Sequence, residues 1–134
     1  MNLWTRLRIH LRRAKLRSLF MKHLAALQLQ FKQELFCRNQ SQLRKWVDLE
    51  WISEPVLHVP VELDQAPVAL VGVATIYELH TEGEPTITQT QTGTAIFHYY
   101  ASSWTTRGQV LLNITPAEAL AQAQMLSRIS GVRA

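Results

Sequence analysis

Apolar residues recur along the first third of the chain at the spacing of one helix face. Leu16, Phe20, Leu24, Leu27, Phe31 and Leu35 are four, four, three, four and four residues apart, which puts them on a single stripe. No Gly or Pro occurs before Pro55, and Leu, Arg, Gln, Ala and Lys dominate residues 3–37, so the pattern predicts one long helix there. Unbroken, it would run about 52 Å at 1.5 Å per residue, longer than a domain of this size covers, so part of it should project or bend away. Ahead of Leu16 the stripe changes face. Leu3, Trp4, Leu7, Leu11 and Ala14 form a second apolar set, flanked by Arg6, Arg8, Arg12, Arg13, Lys15 and Arg17.

From Trp46 the residues change to Val, Ile, Thr and aromatics, with turn signals at Ser53-Glu54-Pro55, Asp64-Gln65-Ala66-Pro67, Glu82-Gly83-Glu84-Pro85 and Thr106-Arg107-Gly108. Strands are expected near 46–52 running on to 56–63, then 68–80, 86–100 and 109–114, joined as an antiparallel meander. Strand 68–80 is apolar on both faces and should be central and covered twice. Strand 86–100 alternates, with Thr86, Thr88, Thr90, Thr92 and Thr94 on one side, and Gly93 is expected to mark a bulge. Thr115-Pro116-Ala117-Glu118 is a capping box, so a last helix should span 116–130, with Gly131 as its C-terminal cap. The fold class is therefore α+β: a long N-terminal helix packed on a curved antiparallel sheet of four to five strands and closed by a C-terminal helix. The element order is shared with cystatin-like and NTF2-like rolls, by analogy alone. The reading divides the chain into a basic amphipathic extension of the first helix, 1–18, and a single α+β domain, 19–134.

Composition narrows the class. At 134 residues, 47% hydrophobic and 18% charged, the chain has enough apolar surface for one core, which excludes wholesale disorder. No uncharged apolar run reaches the roughly 18 residues of a membrane-spanning helix. The single cysteine, Cys37, reads as a small packing residue and gives no reason to place the protein in an oxidising compartment, so a cytoplasmic location is expected.

Charge changes the picture more. Residues 1–45 hold eleven of the fourteen Lys and Arg against one acid, Glu34, a net +10, whereas the rest holds three cations against nine acids, a net −6. Such an asymmetry directs the first segment toward an anionic partner, or toward the chain's own acidic domain. An Arg-rich, acid-free N-terminus also has the character of an organelle transit peptide, but its helical pattern continues into the core stripe without a break for cleavage.

Chemistry-bearing motifs are sparse. There is no phosphate-binding glycine loop, G-x-S-x-G, H-E-x-x-H or C-x-x-C, which lowers the prior for an enzyme, and no metal or cofactor is implied. His10, His23, His58, His80 and His98 are dispersed, with His80 and His98 placed to approach across a hairpin. Glu50, Glu54, Glu62 and Asp64 read as solvated strand and loop acids. Tyr77, His98 and Tyr99, with Trp104, are the candidates to line a pocket, where an acid such as Glu78 or Glu50 would pair with His98. Tyr100 and Trp104, beside a polar Ser/Thr stretch, are candidates for a protein contact.

Three functions are consistent with this chain. One is a non-catalytic adaptor or assembly factor that docks on an anionic membrane or large complex through Trp4 and the six cations from Arg6 to Arg17 and binds a protein partner with its sheet. The second is an RNA-binding or ribosome-associated protein using the same helix on phosphates. The third is a ligand-binding or enzymatic roll. The greasy stripe Leu3-Leu7-Leu11 with Trp4 favours a membrane-peripheral adaptor. A homo-oligomer is compatible with all three.

Overall fold

The computed structural model describes residues 2–38, 44–60 and 65–123. Its elements run α1 (Leu3–Lys22), α2 (Leu24–Arg38), β1 (Arg44–Trp51), β2 (Val56–His58), β3 (Val68–Leu79), β4 (Ile87–Tyr100), β5 (Ser103–Thr105), β6 (Val110–Leu112) and a helix α3 described over 116–123. The expected single long helix is two. The chain leaves the helical path at His23 (φ −105°, ψ 14°), whose N–H reaches Leu19 O and Phe20 O. The stripe explains the break, because its mean spacing of about 3.8 residues exceeds the 3.6 of a turn and would drift ~100° around a straight helix. Resetting the axis at His23 brings Leu16 and Phe20 of α1, and Leu27, Phe31 and Leu35 of α2, onto the same sheet.

β3 and β4 form a continuous antiparallel hairpin from Val68↔His98 to Leu79↔Ile87. β1 and β2 both lie along the outer side of β3, opposite Val73–Leu79 and Val68–Leu70, as one strand interrupted at Ser53-Glu54-Pro55. There Ser53 Oγ accepts from Gly72 N–H at 2.7 Å and Ile52 N–H donates to Gly72 O at 2.9 Å. β6 and β5 likewise share the outer side of β4, opposite residues 93–95 and 98–100. The expected meander is thus present as a curled α+β sheet whose two outer lanes are each broken.

Three strand expectations need correction. The second strand is only Val56–His58, residues 61–64 lying outside the described residues, and the last is only Val110–Leu112. β5 was not foreseen; it follows a two-residue turn in which Ala101 (φ 52°) and Ser102 (φ 66°) both adopt the left-handed conformation that closes tight hairpins. Gly93 marks no bulge, since it pairs in register with Val73. A Cβ there would lie 2.6 Å from Leu111 O, so its role is to let β6 lie close against β4. The bulge is in β1, between Trp46 and Asp48.

The core fills the space between helices and sheet. Phe20, Phe31 and Leu35 are fully buried against Ala69, Val71, Val73, Ala95 and Phe97, with Leu49, Leu57 and Trp104 closing the sides. Phe20 meets Phe97 and Trp104 edge-on, at 5.1 and 5.2 Å between ring centres. The central position expected for strand 68–80 holds: Leu70 and Ala74 are buried on the face turned from the helices. On that face Thr94 Oγ1 donates to Ile114 O at 2.7 Å and ties in the start of α3. The capping box is formed, with Thr115 Oγ1 accepting from Glu118 N–H at 3.2 Å and Glu118 Oε1 accepting from Thr115 N–H at 3.4 Å. The expected end of that helix and its Gly131 cap lie outside the described residues. Cys37 is exposed and not part of the core, contrary to expectation.

Candidate anionic-surface site

α1 carries two apolar faces. Leu7 and Leu16 are nine residues apart, which at about 100° per residue points them in opposite directions. Ile9, half-buried, lies near the inward side with Leu16, which is 5% exposed, and Phe20. The outward side carries Leu3, Trp4, Leu7 and Leu11, exposed by 78, 73, 45 and 58%. None of these four belongs to the buried core or packs against it. Asn2 starts the helix, its side chain accepting from Thr5 N–H at 2.8 Å, so the outer face is held helical from its first turn.

The six cations divide by position. Arg13 donates to Leu57 O at 3.1 Å and Arg17 to Pro55 O at 2.8 Å, with Glu54 3.9 Å from Arg17. These two tie α1 to the interrupted outer lane of the sheet, where the Pro55 carbonyl lies in the interruption and the Leu57 carbonyl on the unpaired outer side of β2. Arg6, Arg8, Arg12 and Lys15 have neither a hydrogen-bond nor an ion-pair partner among the described residues. Arg6 lies on one border of the outer stripe and Arg8 and Lys15 on the other, so the free charges frame the apolar surface. Further along, Lys32 pairs with Asp48 at 3.2 Å; the Leu49 N–H, and then Lys32, hold the Asp48 carboxyl below its ordinary range. The basic segment therefore attracts its own acidic domain through α2 and the second half of α1, while the first half of α1 does not take part.

Tyr100 enters this site from the sheet. It is 75% exposed at the β4–β5 turn and shares a hollow of about 230 Å³ with Arg12, Pro67 and Tyr99. Trp104, the other candidate for a protein contact, is instead a core residue. Its Nε1–H donates to Leu16 O at 3.0 Å and its ring meets Tyr99 at 5.4 Å, so it fastens α1 to the sheet.

Of the pocket candidates only Tyr99 and Trp104 meet, as core rings, and the set does not converge on one site. Tyr77 stands at the far end of the sheet, stacked edge-on with Trp46 at 5.3 Å, under the Arg44 guanidinium at 4.6 Å and donating to Gln89 Oε1 at 2.9 Å. Val68, the partner of His98, lies nine residues from Tyr77 along β3, about 30 Å at 3.3 Å per residue. His98 and Tyr99 are consecutive in β4 and point to opposite faces. Burial, and then Arg107, push the His98 pKa below its ordinary value of 6.5, so the imidazole is neutral near pH 7. Glu78 stands 3.2 Å from His80 and Glu50 pairs with Ala74, so neither acid meets His98, nor does His80 approach it. Glu62 and Asp64 lie outside the described residues. Among the described residues no three His, Cys, Asp or Glu gather into a metal-holding group.

No described helix is long and apolar enough to cross a membrane. No family model, curated protein or solved structure matches the chain.

Proposed function

We propose that this protein is a non-catalytic adaptor that lies on an anionic lipid surface through the outer face of α1. The observation that carries the reading is the second apolar stripe, Leu3, Trp4, Leu7 and Leu11, turned away from the fold and framed by cations that have no partner within it. A helix needs only one apolar face to pack on its sheet, and the other costs solubility unless something covers it. Arg on both borders matches a surface that is apolar at depth and anionic at the headgroups. Each Lys or Arg held near such a surface contributes about 1 kcal/mol, so the three that border the stripe, Arg6, Arg8 and Lys15, give about 3 kcal/mol before the apolar contribution is added. With the helix lying flat, the sheet faces away from the lipid and is free to hold a protein partner. The distance between Tyr77 and His98 supports a non-catalytic role over an aromatic active site.

The test is co-sedimentation with vesicles of mixed phosphatidylserine and phosphatidylcholine, with phosphatidylcholine alone, and with bulk RNA, each at about 0.1 M and about 1 M salt. Binding to anionic vesicles only, weakened by salt and lost in a Trp4→Ala, Leu7→Ala, Leu11→Ala variant, is expected. Binding to RNA but not to vesicles would overturn the lipid reading in favour of nucleic acid. Vesicle binding that the triple variant leaves unchanged would overturn it outright.

A further inference from the structure

The two edges of the sheet are protected very differently. β1 pairs only with β3, so its outer edge is bare among the described residues, yet it carries Arg44, Lys45, Asp48 and Glu50 and the bulge at Trp46/Asp48. Charges and bulges are the usual devices that keep an exposed edge from pairing with another chain. β4 lacks them. β6 ends opposite Gly93 and Asn113 N–H caps Thr92 O at 2.9 Å, so from Ile87 to Gln91 no described strand lies on its outer side. The sequence from Thr86 to Thr92 contains no Asp, Glu, Lys, Arg, Gly or Pro, and Ile87 to Thr90 are all exposed.

The backbone phase makes that edge receptive. Ile96 N–H donates outward to Gln109 O, and Thr92 O accepts outward from Asn113. Even-numbered residues of β4 thus turn their amides and carbonyls to this side, where those of Thr88 and Thr90 meet no strand among the described residues. We infer that this edge is a self-association site, where β4 of a second copy adds antiparallel about a two-fold axis at Thr88. That register sets Thr88 opposite its counterpart and Thr86 of one copy opposite Thr90 of the other. It ends before Asn113 and β6, which occupy the edge from Thr92 onward. A second copy is the occupant because the edge is its own complement: Thr meets Thr along the pair, a favourable cross-strand contact, and no charge is repeated across the axis. Five residues from each copy bury less than a standard interface, so the dimer is weak, with a Kd of about micromolar order.

Sedimentation velocity of the full chain from about 1 to about 200 μM reads the association directly. A concentration-dependent monomer–dimer equilibrium is expected. Thr88→Lys brings two ammonium groups face to face on the axis, and should weaken dimerisation at least tenfold with an unchanged urea midpoint. Lys45→Thr, on the charged edge, should leave the dimer as it is. Amide exchange supplies a second readout that needs no substitution, since Thr88 and Thr90 N–H should gain protection as concentration rises. A monomer at every concentration, or a dimer indifferent to Thr88→Lys, would overturn the inference.

Discussion

Leu16→Ala and Leu11→Ala make the same chemical change on one helix, five residues apart, and should have opposite consequences. Leu16 is 5% exposed and belongs to the core with Phe20 and Trp104, so its truncation leaves a cavity under α1. Buried Leu→Ala changes cost about 2–5 kcal/mol, the spread reflecting how far the surroundings collapse. The indole of Trp104 holds the α1 backbone at Leu16 O itself, which limits that collapse and favours the upper half of the range. Leu11 is 58% exposed and lies outside the core cluster, so its truncation should change stability by less than about 0.5 kcal/mol. Urea unfolding followed by tryptophan fluorescence separates the two. With a slope of about 2 kcal/mol per molar, the middle of the usual range, Leu16→Ala should lower the midpoint by about 2 M without changing the slope, and Leu11→Ala should leave it in place. Vesicle binding should reverse the order, with Leu11→Ala losing affinity and Leu16→Ala keeping it wherever the protein remains folded. Equal losses of stability at the two positions would refute the two-faced reading of α1.

Gly108 has φ 71°, and a Cβ there would lie 2.5 Å from Leu35 N, so Gly108→Ala should destabilise by about 2 kcal/mol or more, seen as a lower thermal midpoint. His98 is held below its unfolded pKa, so below about pH 6.5 the unfolded state binds the extra proton and stability falls with pH. His98→Gln should flatten that slope between about pH 7 and 5 in urea titrations, and an unchanged slope would remove His98 from the account. Trp104→Phe keeps the ring but loses the hydrogen bond to Leu16 O; a loss of about 1–2 kcal/mol is expected in the same assay.

The α+β class, the core stripe, the central strand and the capping box were legible because each rests on local periodicity or on a short motif of fixed spacing. The break at His23 was not. No Gly or Pro announces it, and only the slow drift of the stripe against the helical repeat carried the signal, which becomes decisive once the sheet is seen to curl. β5 escaped for a related reason. Ala101 and Ser102 are poor residues for left-handed turns, and tertiary packing through Trp104 holds them there. For the candidate site, residue types indicated a basic amphipathic face, but not that Arg13 and Arg17 would be used to hold the sheet. That division depends on where the outer lane of the sheet leaves backbone carbonyls unpaired, about 40 residues away in the chain. The pocket grouping failed because Tyr77, His98 and Tyr99 were joined by residue type, without the strand length that separates them.

The bond from Trp104 Nε1 to Leu16 O joins residues 88 positions apart and has a consequence for the order of synthesis. Residues 3–38 leave the ribosome long before β3, β4 and Trp104 exist to cover them, at about 5–20 residues per second. For those seconds both apolar faces of α1 are in water, with its cations free, and the nascent chain is at its most adhesive before it has a core. The β3–β4 hairpin, being local, can form as soon as it emerges, whereas closure onto α1 waits for the last strands. A lipid surface near the exit site would meet the helix first, and the proposed docking would then precede closure of the core. Ribosome-bound chains stopped before residue 100 should therefore bind anionic vesicles at least as well as the finished protein, and weaker binding would separate the two processes.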